Sequence, residues 1–372
     1  MKTFSDLGIS PKLVKGLTEL GIINPTEIQE QAIPVLLEKP TDFVGQAQTG
    51  TGKTAAYGLP MLELINASKN HVQALVLCPT RELAMQVSKQ LFKFTKYSDK
   101  IFSETVYGGA QIDKQIKALQ RPTHIIVATP GRLVDLMKKK VVDLTNVKTV
   151  VLDEADEMLS MGFKKDLDTI LSALPATKNR WLFSATLPEG IRQIINSHLS
   201  SNSIKIKVSG KNVVNKKIEH KYILVEDADK LTTLLQYLKF KGKERGIVFC
   251  KTKNTTKTLA KQLIAKNISA DAIHGDLLQK ERDKVMRAFK NESLRILVAT
   301  DLTARGIDVE DLAFVVHYEL PSQDEFYTHR SGRTARAGKE GMSLAIVNSK
   351  ELKQLRFFEK TLGISFSQIR QK

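Results

Sequence analysis

Ala47-Gln48-Thr49-Gly50-Thr51-Gly52-Lys53-Thr54 is the stretch on which the reading of this chain turns. Gly50 and Gly52 let backbone N–H groups curl around phosphate oxygens. Lys53 can then reach the outer phosphates, and the Thr54 hydroxyl can hold Mg²⁺. A helix-compatible run, Ala55-Ala56-Tyr57, follows. The strict pattern begins with glycine where this chain has Ala47. A plain Gly/Thr connection between strand and helix is the alternative, and the Gly-Lys-Thr run argues against it.

Outward from the loop, short apolar runs alternate with helical stretches. Ala74–Leu77, Ile125–Ala128, Thr149–Leu152 and Trp181–Phe183 form one series. Gly246–Phe249, Ala270–Ile273, Arg295–Ala299, Phe314–His317 and Ser343–Val347 form a second. Continuous apolar strands of this kind predict mainly parallel sheets covered by helices on both faces, here in two α/β domains. Upstream, Pro11 to Leu20 places Leu13, Val14, Leu17 and Leu20 on one helical face. Gly21 stops that helix, and Asn24-Pro25-Thr26 starts another carrying Ile28, Ala32 and Ile33. The Ser-, Asn- and Lys-rich stretch 200–217, with a strand at Ile204–Val208, separates the two series. The expected domains are residues 1–205 and 218–372, with a linker region at 206–217.

The chain has 372 residues, 42% of them hydrophobic and 26% charged, which excludes a disordered polymer and fits two ordinary domains. No apolar run is long enough to span a bilayer, and Met1-Lys2-Thr3-Phe4-Ser5-Asp6 lacks the plan of a signal peptide. A cytoplasmic protein without membrane attachment is expected. Cys78 and Cys250 each close an apolar run and read as buried hydrophobes rather than a disulfide or metal site. The net charge of +17 is spread over both halves and points to a polyanion such as nucleic acid or an acidic membrane surface.

Reactive residue types cluster directly after the apolar runs. Pro79-Thr80-Arg81-Glu82, Thr129-Pro130-Gly131-Arg132, Asp153-Glu154-Ala155-Asp156, Ser184-Ala185-Thr186 and Thr300-Asp301 all stand there. Open parallel α/β sheets bind ligands beyond the carboxyl ends of their strands, so these loops are expected on one active edge. Asp153 suits a metal-holding carboxylate, and Glu154 suits a base that orients and deprotonates water. Arg330, Arg333 and Arg336 recur every three residues. They suit either stabilisation of charge on a transferring phosphoryl group or contact with RNA phosphates. Arg81, Gly108-Gly109, Arg132, Lys251, Lys253 and Arg305 fall in loops on the same edges. Aromatics make up only 6% of the chain, which favours tracking of the phosphodiester backbone over base stacking.

From Phe4 to about Val347 the motifs and their order resemble the DEAD-box RNA helicases of superfamily 2, whose phosphate loop normally begins with alanine. The resemblance implies two tandem RecA-like domains, ATP and Mg²⁺ as cofactors, and RNA as partner. Gly21 to Gln29 is similar to the adenine-reading Q motif, so Gln29 would bond the adenine edge and Phe4 would stack on the ring. Ala47, Gln48, Thr49, Gly50, Thr51, Gly52, Lys53 and Thr54 would hold the phosphates. Thr54 and Asp153 would hold the metal, and Glu154 would be the base. Ser184 and Thr186 would couple hydrolysis to strand separation. Gly306 and Asp308 would touch nucleotide from the second domain. Arg333 and Arg336 would complete the catalytic set, Arg336 as the finger. RNA would meet Thr80, Arg81, Gly109, Thr129 and Arg132, then Gln279, Arg282 and Thr300, with Lys251-Thr252 a weaker match. Ser331 and Ala335 stand where Ile and Gly are commoner. RNA-stimulated hydrolysis with local, non-processive unwinding is the expected activity, in a monomer with ribosomal or RNA-degradation assemblies as candidate partners. An ATP-gated RNA clamp and a DNA-directed motor are the competing readings.

Overall fold

The computed structural model describes residues 2–48, 50–175, 179–208, 217–304, 312–335 and 340–369. The chain divides into two compact units, Met1–Gly210 and Lys211–Lys372. Most of the expected linker, residues 209–216, lies outside the described residues, and its first two positions belong to a strand.

The first unit is a seven-stranded, all-parallel sheet. In chain order its strands are β1 (Phe43–Gln46), β2 (Ala74–Leu77), β3 (Ser103–Val106), β4 (Ile125–Ala128), β5 (Thr149–Asp153), β6 (Asn179–Ser184) and β7 (Ile204–Lys207). Their order across the sheet is β3-β4-β2-β5-β6-β1-β7. Alternate residues of a strand point to opposite faces, and here the two faces feed two cores. Phe43, Trp181 and Phe183 join Leu13, Leu17, Ile28 and Tyr57 on one side. Val44, Leu182, Leu75 and Leu152 join Met158, Ile170 and Ile191 on the other. Where both faces are covered, as at β2 and β4, the strand is apolar throughout.

The second unit repeats the plan. Its strands are β8 (Ile218–Leu224), β9 (Gly246–Cys250), β10 (Ala270–Ile273), β11 (Ile296–Thr300), β12 (Phe314–His317), β13 (Gly341–Val347) and β14 (Ser367–Gln368). Their order is β10-β11-β9-β12-β13-β8-β14, again all parallel. Val248 and Val316 face one core, while Ile247, Phe249 and Val315 face another. Cys78 and Cys250 are both free and buried. Among the described residues no helix is long and apolar enough to cross a membrane.

Two helices precede β1. Helix Pro11–Glu19 begins with its proline in the first turn, where the missing N–H costs nothing. Helix Glu27–Glu38 begins with a capping box in which Thr26 and Gln29 satisfy each other's backbone.

Candidate active site

The phosphate-type loop leaves the end of β1 and runs into helix Lys53–Glu63. Gly50 (φ 79°) and Gly52 (φ 88°) are both left-handed, a conformation that costs other L-residues about 1–2 kcal/mol. A Cβ on Gly52 would also sit 2.3 Å from Gln29 Nε2. The loop is held from several sides. Thr26 Oγ1 donates to the Thr51 carbonyl at 2.8 Å and Gln29 Nε2 to the Gly52 carbonyl at 2.9 Å. Thr51 Oγ1 donates to the Gln48 carbonyl at 2.7 Å, and Ala47 N donates to the Ser184 carbonyl of β6 at 3.0 Å. The other end of the Gln29 amide accepts from Thr26 N at 2.9 Å, so this side chain joins the helix cap to the loop. Phe4 is 2% exposed and packs in the first core with Leu7 and Ile9. Thr49 lies outside the described residues.

Lys53 is the first residue of its helix and is buried, and its Nζ has no hydrogen-bond partner among the described residues. Asp153 closes β5 and is 3% exposed. Its Oδ2 accepts from the Tyr57 hydroxyl at 2.9 Å, whereas its Oδ1 is buried with no partner among the described residues. Burial pushes the Asp153 carboxyl above its usual range, against the pull of the Lys53 ammonium. A buried cation and a buried carboxylate oxygen, each unpartnered among the described residues, fit a ligand that supplies anionic oxygens and a divalent cation together. Thr54 stands beside Lys53 at the same helix start.

Glu154, next in the chain, has φ 52° and ψ 54°. A non-glycine residue there carries about 1–3 kcal/mol of strain, which persists only where the surroundings impose it. Those surroundings are the turn that follows. Asp156 Oδ2 accepts from both the N–H and the hydroxyl of Thr186, each at 2.9 Å. Ser184 Oγ accepts from Asp156 N at 3.2 Å and donates to the Thr186 carbonyl at 2.7 Å. The Asp153–Asp156 turn and the Ser184–Thr186 turn are thereby one hydrogen-bonded assembly.

Strand order sorts the remaining loops. β3, β4 and β2 end at Gly108-Gly109, Thr129–Arg132 and Thr80-Arg81, while β5, β6 and β1 end at the acidic turn, Ser184–Thr186 and the phosphate loop. The two groups meet where β2 pairs with β5. Thr80 caps helix Arg81–Phe94 by accepting from Leu83 N at 3.2 Å, and the Arg81 guanidinium lies 4.6 Å over the Tyr107 ring. Arg132 donates to Gln115 Oε1 at 2.8 Å and to the Ala110 carbonyl at 3.1 Å, bracing the loop that holds Gly109 (φ 80°). Thr129 Oγ1 accepts from Gly108 N at 3.4 Å.

In the second unit, Thr300 closes β11 and its hydroxyl meets that of Thr303 at 2.9 Å. Arg282, on helix Gln279–Lys290, donates to the Thr303 carbonyl at 3.2 Å. The helix starts at Gln279, whose side chain is outside the description. Thr252 caps helix Lys253–Ala265, accepting from Thr255 N at 3.1 Å. Gly306, Asp308 and Arg336 lie outside the described residues, as does Arg305. Arg330 and Arg333 do not share a helix. Helix Asp324–Ser331 ends before Arg333. Arg330 is 1% exposed and turns inward, bonding Asp301 at 2.5 and 2.7 Å and the Glu319 carbonyl at 2.7 Å. It is a structural ion pair, and Arg333 alone of the described pair stands past the helix end. Ser331 is fully buried and finds partners in Ser343 at 2.9 Å and His317 at 3.3 Å, which explains how a hydroxyl is accommodated there. Ala335 takes φ 59°.

The sequence profile of the DEAD/DEAH box helicases matches residues 26–194, and that of the helicase conserved C-terminal domain matches residues 229–338. The ATP-dependent RNA helicase CshA of Listeria monocytogenes is 44% identical over 361 residues, 97% of this chain and 69% of that protein. The chain belongs to the DEAD-box helicase family. Its DEAD-box relatives include CshA of Geobacillus kaustophilus, 43% identical over 97% of this chain and 77% of that one. Among solved DEAD-box structures, Saccharomyces cerevisiae Dbp5 bound to RNA and ADP BeF3 is 32% identical, with a TM-score of 0.89 over 99% of this chain and 96% of that one. Mss116p bound to ssRNA and AMP-PNP is 28% identical, with a TM-score of 0.88 over 100% and 80%. The two parallel sheets are therefore RecA-like domains of the DEAD-box type.

Two features of this DEAD-box site escape motif reading. Tyr57 was legible only as a helix-compatible residue, although it stands four positions after Lys53 and so on the same helix face. The Thr26–Gln29 capping box carries a sequence signal, Thr-x-x-Gln, that shows Gln29 also has a helix start to serve.

Proposed function

We propose that the chain is an ATP-dependent RNA helicase that couples RNA-stimulated ATP hydrolysis to local unwinding or remodelling of RNA and ribonucleoprotein. The observation that carries this reading is the pair of buried, unpartnered groups, Lys53 Nζ and Asp153 Oδ1, beside the strained backbone of Glu154. Gln29 and Phe4 are the candidate adenine readers; the Gln29 amide spends one N–H on the Gly52 carbonyl and one lone pair on Thr26 N, which leaves a second donor and a second acceptor for a base. Ala47 to Thr54 wrap the phosphates, with Lys53 on the outer ones. Thr54 and Asp153 would hold Mg²⁺, which when bound offsets charge on the transferring phosphoryl group. Glu154 orients the attacking water and takes its proton as the bond to ADP breaks. Arg333 and Arg336, with Gly306 and Asp308, are the second unit's candidates for nucleotide contact.

RNA is assigned to Thr80, Arg81, Gly109, Thr129, Arg132, Gln279, Arg282 and Thr300, along the backbone and without sequence preference. The link from Asp156 to Ser184 and Thr186 supports the coupling role of those two residues. We extend the reading to a monomer working in the cytoplasm, with ribosomal or RNA-degrading assemblies as candidate company; the +17 charge supports a polyanionic setting.

Phosphate release with no nucleic acid, with RNA and with DNA tests the proposal. Stimulation by RNA alone is expected, because 2′-hydroxyls distinguish the two polymers. Glu154→Gln should keep ATP and RNA bound and drop turnover at least a hundredfold. Normal hydrolysis by that variant refutes the base, and equal stimulation by DNA refutes the RNA assignment.

A further inference from the structure

We propose that Tyr57 is a positioning residue for Asp153, and through it for the divalent cation that accompanies the nucleotide. The inference rests on the reading of Asp153 as a metal ligand given above. Residues three and four apart share a helix face, so Tyr57 lies on the face of helix Lys53–Glu63 that also carries Lys53 and Thr54. The residue is fully buried, and its ring packs against Phe183 of β6 with centroids 5.3 Å apart. Burial among close-packed core neighbours favours a single rotamer for the ring. The hydroxyl is thereby delivered to the end of β5, 2.9 Å from Asp153 Oδ2.

The consequence concerns the two oxygens of one carboxylate. A carboxylate can turn about its last bond and present either oxygen. Here Oδ2 is occupied by a fixed donor, so Oδ1, the buried oxygen without a partner, is the one presented to a cation. Donors behind a metal ligand fix its orientation, and their loss typically costs 10–100-fold in metal affinity. The Tyr57 phenol is suited to the task because its one O–H can only serve as the donor to a carboxylate oxygen, which accepts.

Tyr57→Phe removes one oxygen and keeps the packed ring. Equilibrium binding of a fluorescent ADP analogue to the full chain, titrated with Mg²⁺, reads the effect without turnover. The half-saturating Mg²⁺ concentration should rise about tenfold, while affinity for the analogue in EDTA stays within about twofold of the parent. An unchanged Mg²⁺ midpoint overturns the proposal, as does a lowered unfolding temperature with no change in that midpoint. Asp153→Asn is the companion variant. If it too leaves the Mg²⁺ dependence intact, the metal assignment itself fails. If it abolishes the dependence while Tyr57→Phe does not shift it, only the role of Tyr57 fails.

Discussion

Arg330→Ala should cripple the second unit by unfolding it, and Arg333→Ala should not. Arg330 is 1% exposed, and its guanidinium makes three hydrogen bonds, two to the Asp301 carboxylate and one to the Glu319 carbonyl. The same group lies 5.0 Å over the Phe249 ring. Truncation leaves the Asp301 charge, whose side chain is 24% exposed, without its bidentate partner beside apolar residues. Breaking a buried pair from one side costs about 3–5 kcal/mol. For a unit of this size each kcal/mol moves the melting point by roughly 2–4 °C, so the unfolding transition should fall by about 10 °C. Differential scanning calorimetry on the full chain reads this directly, and ATPase measured well below the lowered transition should recover much of the parent rate. Arg333→Ala should show the opposite pattern, a melting point within about 2 °C of the parent and lost RNA-stimulated turnover. A melting point unchanged by Arg330→Ala would refute the argument that this arginine is spent on the fold.

Two further perturbations follow from other parts of the molecule. Gly52→Ala must place a methyl group 2.3 Å from Gln29 Nε2 at φ +88°. It should weaken nucleotide binding more than tenfold in a fluorescence titration, with the far-UV circular dichroism unchanged; parent-like affinity would mean the loop is not held as described. The buried histidines give a pH dependence. Burial lowers His220 from 6.5 to about 4 and His317 well below 6.5, with the Arg330 charge adding to the second shift. Both therefore resist protonation in the folded state, and the stability they protect is full above pH 6.5 and lost as the pH falls toward about 4. His220 alone should account for about 3 kcal/mol over that interval. Urea unfolding at pH 7 and pH 4.5 measures the loss, and a flat profile would refute it.

Most of the strands that sequence reading finds are buried on both faces, although Phe43–Gln46, interrupted by Gly45 and Gln46, is a central strand it does not find. Ala74–Leu77, Ile125–Ala128 and Phe314–His317 appear with unchanged limits, since only continuous apolar runs survive in the middle of a parallel sheet, and Ala270–Ile273 keeps its limits at the sheet edge, where Asp271 is exposed. Ser103–Val106 was not legible because β3 is an edge strand whose first three residues are half-buried and need not be apolar. Ile218–Leu224 was missed because three consecutive polar residues, Glu219-His220-Lys221, interrupt its apolar run beside the short strand β14. At the site, Lys53, Asp153, Glu154 and Ser184 are found because their motifs are contiguous in sequence. What sequence could not give are relations between distant residues: Tyr57 with Asp153, Asp156 with Thr186, Gln29 with Gly52 and Arg330 with Asp301. Each depends on which chemically ordinary partner the fold delivers, and composition and spacing are silent on that.

The place of β1 in its sheet also sets a timetable for biosynthesis. That strand is made early, at residues 43–46, yet its neighbours on either side are β6 and β7, at residues 179–207. At about 5–20 residues per second, on the order of ten seconds separate the emergence of Lys53 from that of the two strands that flank its own. Through that interval the nascent chain lacks the Asp153 carboxylate for most of the time, and the Ser184 carbonyl that anchors Ala47 for nearly all of it. A ribosome-bound fragment ending before β6 should ignore nucleotide entirely, and the first unit becomes a binding protein in one late step.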